Sequence, residues 1–150
     1  MKVKVIAIGN ILMGDDGIGI AVAEKIKHEL EEDNIEVIIG ETDFNYCISM
    51  IEEGDYIFIL DGAYYGKKPG EITLCPIREY KSFKKEYSQH NFGLLDLINL
   101  NYKDVEGYIV GIEISDVDFN LGLSEVLANN IHMISEKTIN IVRSILKNRE

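Results

Sequence analysis

The feature that most constrains the fold is a glycine-rich turn between an apolar strand and an amphipathic helix near the start of the chain. Residues 3–8 alternate as a buried strand does, and residues from Gly17 onward are apolar on one helical face. A turn between the first strand and the first helix is where α/β proteins usually place a ligand. Here the turn carries Asp15 and Asp16, two adjacent carboxylates that would repel a phosphate. The turn is therefore suited to a cation.

The rest of the chain alternates strands with helices. Apolar runs predict further strands over residues 35–39, 56–60, 70–75 and 107–114. Helical spacing predicts helices over residues 17–32, 44–52 (capped by Thr42 or Asp43), 92–100 and 124–147 (capped by Ser124). Residues 62–68 and 77–89 are expected to be loops. This order predicts one domain over residues 1–150, with an α/β fold: a three-layer, doubly wound, mostly parallel sheet of about five strands and helices on both faces.

Composition and charge restrict the function. The formal net charge of −11 argues against nucleic acid as a partner, because nucleic-acid binding rewards clustered Lys and Arg. The first residues do not resemble a signal peptide, and no apolar run approaches the length of a membrane span, so membrane insertion is not expected. Cys47 and Cys75 have no partner spacing and are predicted to be buried free thiols. A reduced, cytoplasmic protein fits these features.

Three polar residues are candidates for a site because of where they stand. Asp16 follows the first strand, Asp61 comes directly after the strand 56–60, and His90 precedes the helix 92–100. Parallel strands present their carboxyl ends at one edge of a sheet, so the three side chains are expected to converge there. Two carboxylates and an imidazole form a mixed oxygen and nitrogen donor set suited to a divalent transition metal.

Each candidate also has a purely structural explanation. Asp16 could cap the first helix, Asp61 could hold a turn, and His90 could be an ordinary surface histidine. A pair of carboxylates, Asp16 and Asp61, holding a water is a further alternative. His28 and His132 fall among charged neighbours on helices and are expected to face solvent without a role.

Three blocks of the sequence resemble one family, the [NiFe]-hydrogenase maturation endopeptidases. Residues 9–19 (GNILMGDDGIG) are similar to the family signature Gly-Asn-x-Leu-x-Gly-Asp-(Asp/Glu)-Gly-x-Gly. Residues 57–63 (IFILDGA) resemble its second block, an apolar strand ending in Asp, and residues 88–94 (SQHNFGL) its Ser-x-His block. Weaker similarity continues through residues 110–113 and 122–124, so the resemblance covers essentially the whole chain.

The resemblance implies an endopeptidase that removes a short C-terminal extension from the precursor of a hydrogenase large subunit after nickel has been loaded. The family's metal-contacting residues correspond to Asp16, Asp61 and His90, and Asp16 and Asp61 are the candidate catalytic residues. The nickel would belong to the substrate, although other divalent ions suit the same donors. The supporting turn consists of Gly9, Asn10, Gly14, Asp15 and Gly17.

Other functions stay open at this point. A nickel-sensing maturation chaperone would use the same three ligands without cleaving anything. A nucleotide-binding doubly wound module is disfavoured by the two adjacent carboxylates. An unrelated endopeptidase of similar fold, such as a spore-protein protease, is disfavoured by the shorter chain and by the full match to the first motif. Loops at residues 64–66 and 81–87 are candidates for shaping specificity toward a partner.

Overall fold

A five-stranded sheet forms the centre of the fold. The computed structural model describes residues 1–82, 89–115 and 121–150; of residues 80–82 and 89–92 it describes the backbone alone. The strands are β1 (Val3–Ile8), β2 (Glu36–Glu41), β3 (Tyr56–Ala63), β4 (Ile72–Pro76) and β5 (Glu106–Glu113). Their order across the sheet is β2-β1-β3-β5-β4, and all neighbours are parallel except β4, which runs antiparallel to β5 at one edge. The predicted mostly parallel sheet is confirmed.

Helices cover both faces of this sheet. They are α1 (Ile18–Glu32), α2 (Phe44–Ser49), α3 (Gln89–Asn101) and α4 (Glu125–Asn148). Side chains of α1 and α4 pack with Val5, Phe58 and Val110 in one core. Side chains of α2 and α3 pack with alternate residues of the same strands, including Ile57 and Ile109, in a second core. Because successive strand residues point to opposite faces, each strand supplies both cores, and the predicted three layers are confirmed.

Short polar side chains begin two of the helices. The Asp43 carboxylate accepts a hydrogen bond from the Tyr46 N–H at 3.0 Å and caps α2. The Ser124 hydroxyl accepts one from the Leu127 N–H at 3.5 Å at the start of α4. Each bond satisfies a donor that has no partner within the first helical turn. None of the helices in the described ranges is long and apolar enough to cross a membrane.

Several predicted boundaries were wrong, including the end of β3 beside the candidate site. β3 does not end at Leu60 but continues through Ala63, because β5 pairs with it as far as Glu113. Residues Ile77–Ser82, predicted as a loop, form a 3-10 helix, while residues 83–88 lie outside the described part. A 3-10 turn, Gly14–Gly17, precedes α1.

Candidate active site

The strand order reverses between β1 and β3. The chain leaves β1 to form β2 on one side and later returns to form β3 on the other. In doubly wound sheets, the crevice outside the carboxyl ends of the strands at such a reversal is where ligands bind. Asp16 lies in the turn that follows β1, and Asp61 lies near the carboxyl end of β3. Both predicted carboxylates therefore stand at the switch point of the sheet.

Gly9 brings the turn and β3 together. Its φ of +138° is disfavoured for residues with a side chain, and a Cβ here would overlap the carbonyl oxygen of Asp16. The same Cβ would lie 3.7 Å from Oδ1 of Asp61. Gly9 thus fills the narrow space between the backbone of Asp16 and the carboxylate of Asp61, and any larger residue would push the two apart.

Asp16 is half-buried and does not cap α1. Its Oδ2 accepts a hydrogen bond from the N–H of Asn10 at 2.7 Å, across the glycine-rich turn. The residue that precedes α1 is Gly17, and no side chain caps the helix there. The explanation of Asp16 as a helix cap was therefore wrong; its carboxylate closes the glycine-rich turn.

Asp61 is fully buried inside β3 rather than placed in a turn after it. Its Oδ1 accepts a hydrogen bond from the N–H of Gly62 at 2.8 Å. By strand alternation it lies on the same sheet face as Ile57 and Ile59, which belong to the core shared with α2 and α3. A carboxylate at such a depth requires compensating hydrogen bonds or a partner charge.

His90 is the second residue of α3, which begins at Gln89 and not, as predicted, at residue 92. Its side chain lies outside the described part of the structure, so its role as a ligand stays a prediction. The backbone stands on the correct face, because Leu94 and Leu95 pack in the same core as Ile57.

The start of α3 also stands at the correct edge of the sheet. A Cβ on Gly93 would lie 2.9 Å from the ring of Phe44, so the second turn of α3 meets the start of α2. Since α2 follows the carboxyl end of β2, this meeting point lies at the same edge as Asp61. Among the side chains that the structure describes, no group of three His, Cys, Asp or Glu residues is arranged to hold a metal ion.

Asp15 differs sharply from its neighbour Asp16. It is 1% exposed, and its two oxygens accept hydrogen bonds from the N–H groups of Ser115 at 2.9 Å and Ser124 at 2.7 Å. These donors lie just after β5 and just before α4. The Asp15 carboxylate therefore ties the glycine-rich turn to two distant segments of the chain.

The glycines around the acidic pair allow the turn to close. Gly14 has a φ of +56°, in the left-handed region that favours glycine. A Cβ on Gly17 would lie 3.2 Å from the Cα of Ile11, closer than most real contacts. Both observations explain why the turn needs glycine on either side of its two carboxylates.

Glu113 is a buried acidic residue at this edge to which sequence reasoning assigned no role. It ends β5 and is 1% exposed. Its carboxylate accepts hydrogen bonds from the N–H groups of Tyr65 (2.9 Å), Gly66 (3.1 Å) and Lys67 (3.2 Å). The signal available in the sequence was an acidic residue inside the apolar run 109–114.

Neither cysteine is suited to act as a nucleophile. Burial raises the pKa of the Cys47 thiol to about 11, and the negative charge of Asp43 contributes to this rise. Burial also raises the pKa of the Cys75 thiol to about 11. Both residues are free and buried, as predicted. The prediction that His28 and His132 face solvent is also confirmed, with 88% and 83% of their side chains exposed.

Two solved structures with a similar architecture are named as hydrogenase maturation peptidases. The hydrogenase maturating endopeptidase HybD from Escherichia coli superposes with a TM-score of 0.77 at 22% identity, covering 96% of this chain and 93% of that one. The [NiFe] hydrogenase maturation protease HybD from Thermococcus kodakarensis gives a TM-score of 0.74 at 27% identity, over 94% and 99% of the two chains. The chain is therefore a doubly wound α/β protein with the fold found in these endopeptidases.

Sequence comparison then identifies the family. The model of the hydrogenase maturation protease family HycI matches residues 20–141, a span that includes Asp61 and His90 and begins shortly after Asp16. A Methanocaldococcus jannaschii chain, provisionally named a hydrogenase maturation protease, is 29% identical over 152 residues, covering 97% of this chain and 96% of its own length. The Escherichia coli hydrogenase 2 maturation protease is 27% identical over 66% of this chain and 62% of its own length. The chain belongs to the hydrogenase maturation protease family and is a peptidase of that type.

Proposed function

We propose that this peptidase removes a short C-terminal extension from the nickel-loaded precursor of a [NiFe]-hydrogenase large subunit. The observation that carries the proposal is the approach of the Asp16 backbone and the Asp61 carboxylate to Gly9, which places both residues at the switch point of the sheet. Family membership indicates the reaction type, and the name of the Thermococcus kodakarensis structure indicates the class of hydrogenase. A cytoplasmic location is part of the proposal, and the free, buried thiols of Cys47 and Cys75 support it.

In this proposal the nickel is part of the substrate. Asp16, Asp61 and the imidazole of His90 would contact a nickel ion that the precursor already holds, and other divalent ions suit the same donors. A carboxylate has acceptor capacity for several partners, so the hydrogen bonds of Asp16 to Asn10 and of Asp61 to Gly62 are compatible with a further contact to a metal. Cleavage would then require a loaded precursor.

The chemistry asked of the chain is positioning and proton transfer. Hydrolysis adds the oxygen of a water to the scissile carbonyl carbon, breaks the C–N bond and passes a proton to the leaving amine. Asp16 and Asp61 are the candidates to take the proton from the attacking water, and the substrate nickel supplies Lewis acidity. Asp16 is half-buried, whereas Asp61 is fully buried within β3.

The experiment that tests the proposal compares nickel-loaded and nickel-free precursor from one source. Each is incubated with the wild-type protein, Asp16→Asn, Asp61→Asn or a control, and the products are weighed by intact mass spectrometry. Asp104→Asn is the matched control, because it makes the same change at an exposed position just before β5, at the amino ends of the parallel strands and away from the candidate site. We expect loss of one defined C-terminal peptide from the loaded precursor with the wild type and the control alone.

The other outcomes separate the alternative functions. Binding of the precursor without cleavage by the wild type would indicate a nickel-sensing chaperone. Equal cleavage of loaded and nickel-free precursor would remove nickel from the mechanism and favour a water held by Asp16 and Asp61. Full activity of Asp61→Asn would refute the assignment of the site itself.

A further inference from the structure

The buried carboxylate of Glu113 holds a neighbouring segment of the chain by hydrogen bonds. None of the ion pairs between described side chains includes it, and its hydrogen bonds come from backbone N–H groups at residues 65–67. Removing an ionised carboxylate from water is costly, and an apolar side chain of similar volume often serves a core equally well. What the carboxylate provides here is a fixed conformation for the segment whose N–H groups it accepts.

That segment, which we call the β3–β4 connection (residues 64–71), is held by the backbone of Glu113 as well. The Gly70 N–H donates to the Glu113 carbonyl oxygen at 2.8 Å, and the Glu113 N–H donates to the Glu71 carbonyl oxygen at 2.8 Å. The ammonium of Lys67 donates to the Thr73 hydroxyl at 2.8 Å, which ties the connection to β4. Glu113 therefore fixes the connection near both of its ends.

The connection starts immediately beside the candidate site. Asp61 is paired with Gly111 in the sheet and Ala63 with Glu113, so Glu113 lies on the same strand face as Asp61, two residues further toward the carboxyl edge. The first residue after β3 is Tyr64, whose side chain is 63% exposed. A large aromatic side chain held in a rigid, exposed position is typical of residues that contribute strongly to protein binding.

We propose that Glu113 is a positioning residue that holds the β3–β4 connection so that Tyr64 contacts the hydrogenase precursor beside the peptide bond to be cleaved. The inference rests on the proposed function, since it takes the precursor as the bound partner. Tyr64 is the specificity-determining contact, and Glu113 acts through it without touching the reacting atoms.

The test measures kcat and KM for the nickel-loaded precursor with the wild type and four variants. Glu113→Ala removes the side-chain hydrogen bonds to the connection and leaves the two that the Glu113 backbone makes. Glu113→Gln keeps an amide oxygen that can replace Oε2, the atom that accepts from all three N–H groups. Tyr64→Ala removes the contact itself. Leu100→Ala is the control, because Leu100 is 82% exposed near the end of α3, away from the carboxyl edge.

We expect Glu113→Ala and Tyr64→Ala each to raise KM about tenfold, the size of effect that truncating an important interface residue has. Both should leave kcat within about twofold of the wild type, because Asp16 and Asp61 are untouched. Glu113→Gln and Leu100→Ala should behave as the wild type. The double variant Glu113→Ala/Tyr64→Ala should be no worse than the more impaired single variant, because both changes remove one contact.

An unchanged KM in Tyr64→Ala would overturn the inference. A fall in kcat at constant KM in Glu113→Ala would also overturn it. So would a KM in Glu113→Gln that is raised as much as in Glu113→Ala. If Glu113→Ala fails to fold, the KM of Tyr64→Ala and of Glu113→Gln decides alone. Failure of the proposed function is recognised separately, because the wild-type protein would then not cleave the precursor at all.

Discussion

The two adjacent carboxylates of the glycine-rich turn offer a direct test of the division between structure and chemistry. Asp15 is 1% exposed and accepts hydrogen bonds from the N–H groups of two distant residues, whereas Asp16 is half-buried and accepts a hydrogen bond from the Asn10 N–H within its own turn. The same substitution to asparagine at either position should therefore have opposite effects. We expect Asp15→Asn to lower stability and spare cleavage, and Asp16→Asn to spare stability and abolish cleavage.

The magnitudes follow from the hydrogen bonds. Asparagine at position 15 keeps one oxygen and turns an NH₂ group toward the other backbone donor, so one bond to a charged acceptor is lost. Such a bond contributes about 1.5–3 kcal/mol, so the free energy of unfolding should fall by about 2 kcal/mol. For a chain of 150 residues this corresponds to roughly 4–8 °C in Tm. Asparagine at position 16 can still accept the hydrogen bond from the Asn10 N–H, and the change in stability should stay below about 1 kcal/mol.

Urea denaturation followed by circular dichroism measures the free energy of unfolding, and intact mass spectrometry of the precursor measures cleavage. Asp104→Asn, exposed at the amino ends of the parallel strands, serves as control for both assays. The reasoning would be refuted if the free energy of unfolding of Asp15→Asn lay within about 0.5 kcal/mol of the wild-type value, because a change of that size is typical of an ordinary surface substitution. It would also be refuted if Asp16→Asn were as destabilising as Asp15→Asn, or if it cleaved normally.

Three further predictions concern stability. Gly9→Ala should lower the free energy of unfolding by more than about 2 kcal/mol, because its Cβ would overlap the Asp16 carbonyl oxygen and its backbone would also be strained. Gly54→Ala should lower it by about 1 kcal/mol, because its φ of +88° is strained but a Cβ there meets no other atom. Equal losses for the two variants on urea denaturation would contradict the overlap at Gly9. Lys4→Met should lower the free energy of unfolding by about 3–5 kcal/mol. The Asp55 carboxylate lies 2.6 Å from the Lys4 ammonium, and the substitution would leave it buried without that partner charge. Lys4→Met/Asp55→Leu should recover most of that loss, and a double variant less stable than Lys4→Met would contradict this. Both cysteines, with pKa values raised from 9.0 to about 11, should resist a thiol reagent at about pH 8 until the protein unfolds. Burial favours the protonated thiols, so their contribution to stability is complete below pH 9.0 and is lost as the pH rises toward about 11. Rapid labelling of the folded protein would contradict the burial of the two thiols.

Local sequence was sufficient to predict the layers of the fold and where two of the candidate residues lie. The periodicity of residues 3–8 and 17–32 depends on neighbours within one or two turns, and so do the caps at Asp43 and Ser124. The alternation of strands and helices places the carboxyl ends of parallel strands at one edge, so Asp16 and Asp61 could be expected there without coordinates.

The tertiary structure decided what each acidic side chain does. Asp15 and Asp16 are indistinguishable in a sequence, and only the folded chain brings Asp15 to the N–H of Ser115, 100 residues away. Glu113 acquires its role in the same manner, from N–H groups in a connection far from it along the chain. Hydrogen-bond partners are selected by distance in space, and nothing in the local pattern of a strand or turn encodes them. The sequence by itself therefore determined at which end of the strands Asp16 and Asp61 lie, while the packing of distant segments determined which carboxylates hold that part of the fold together.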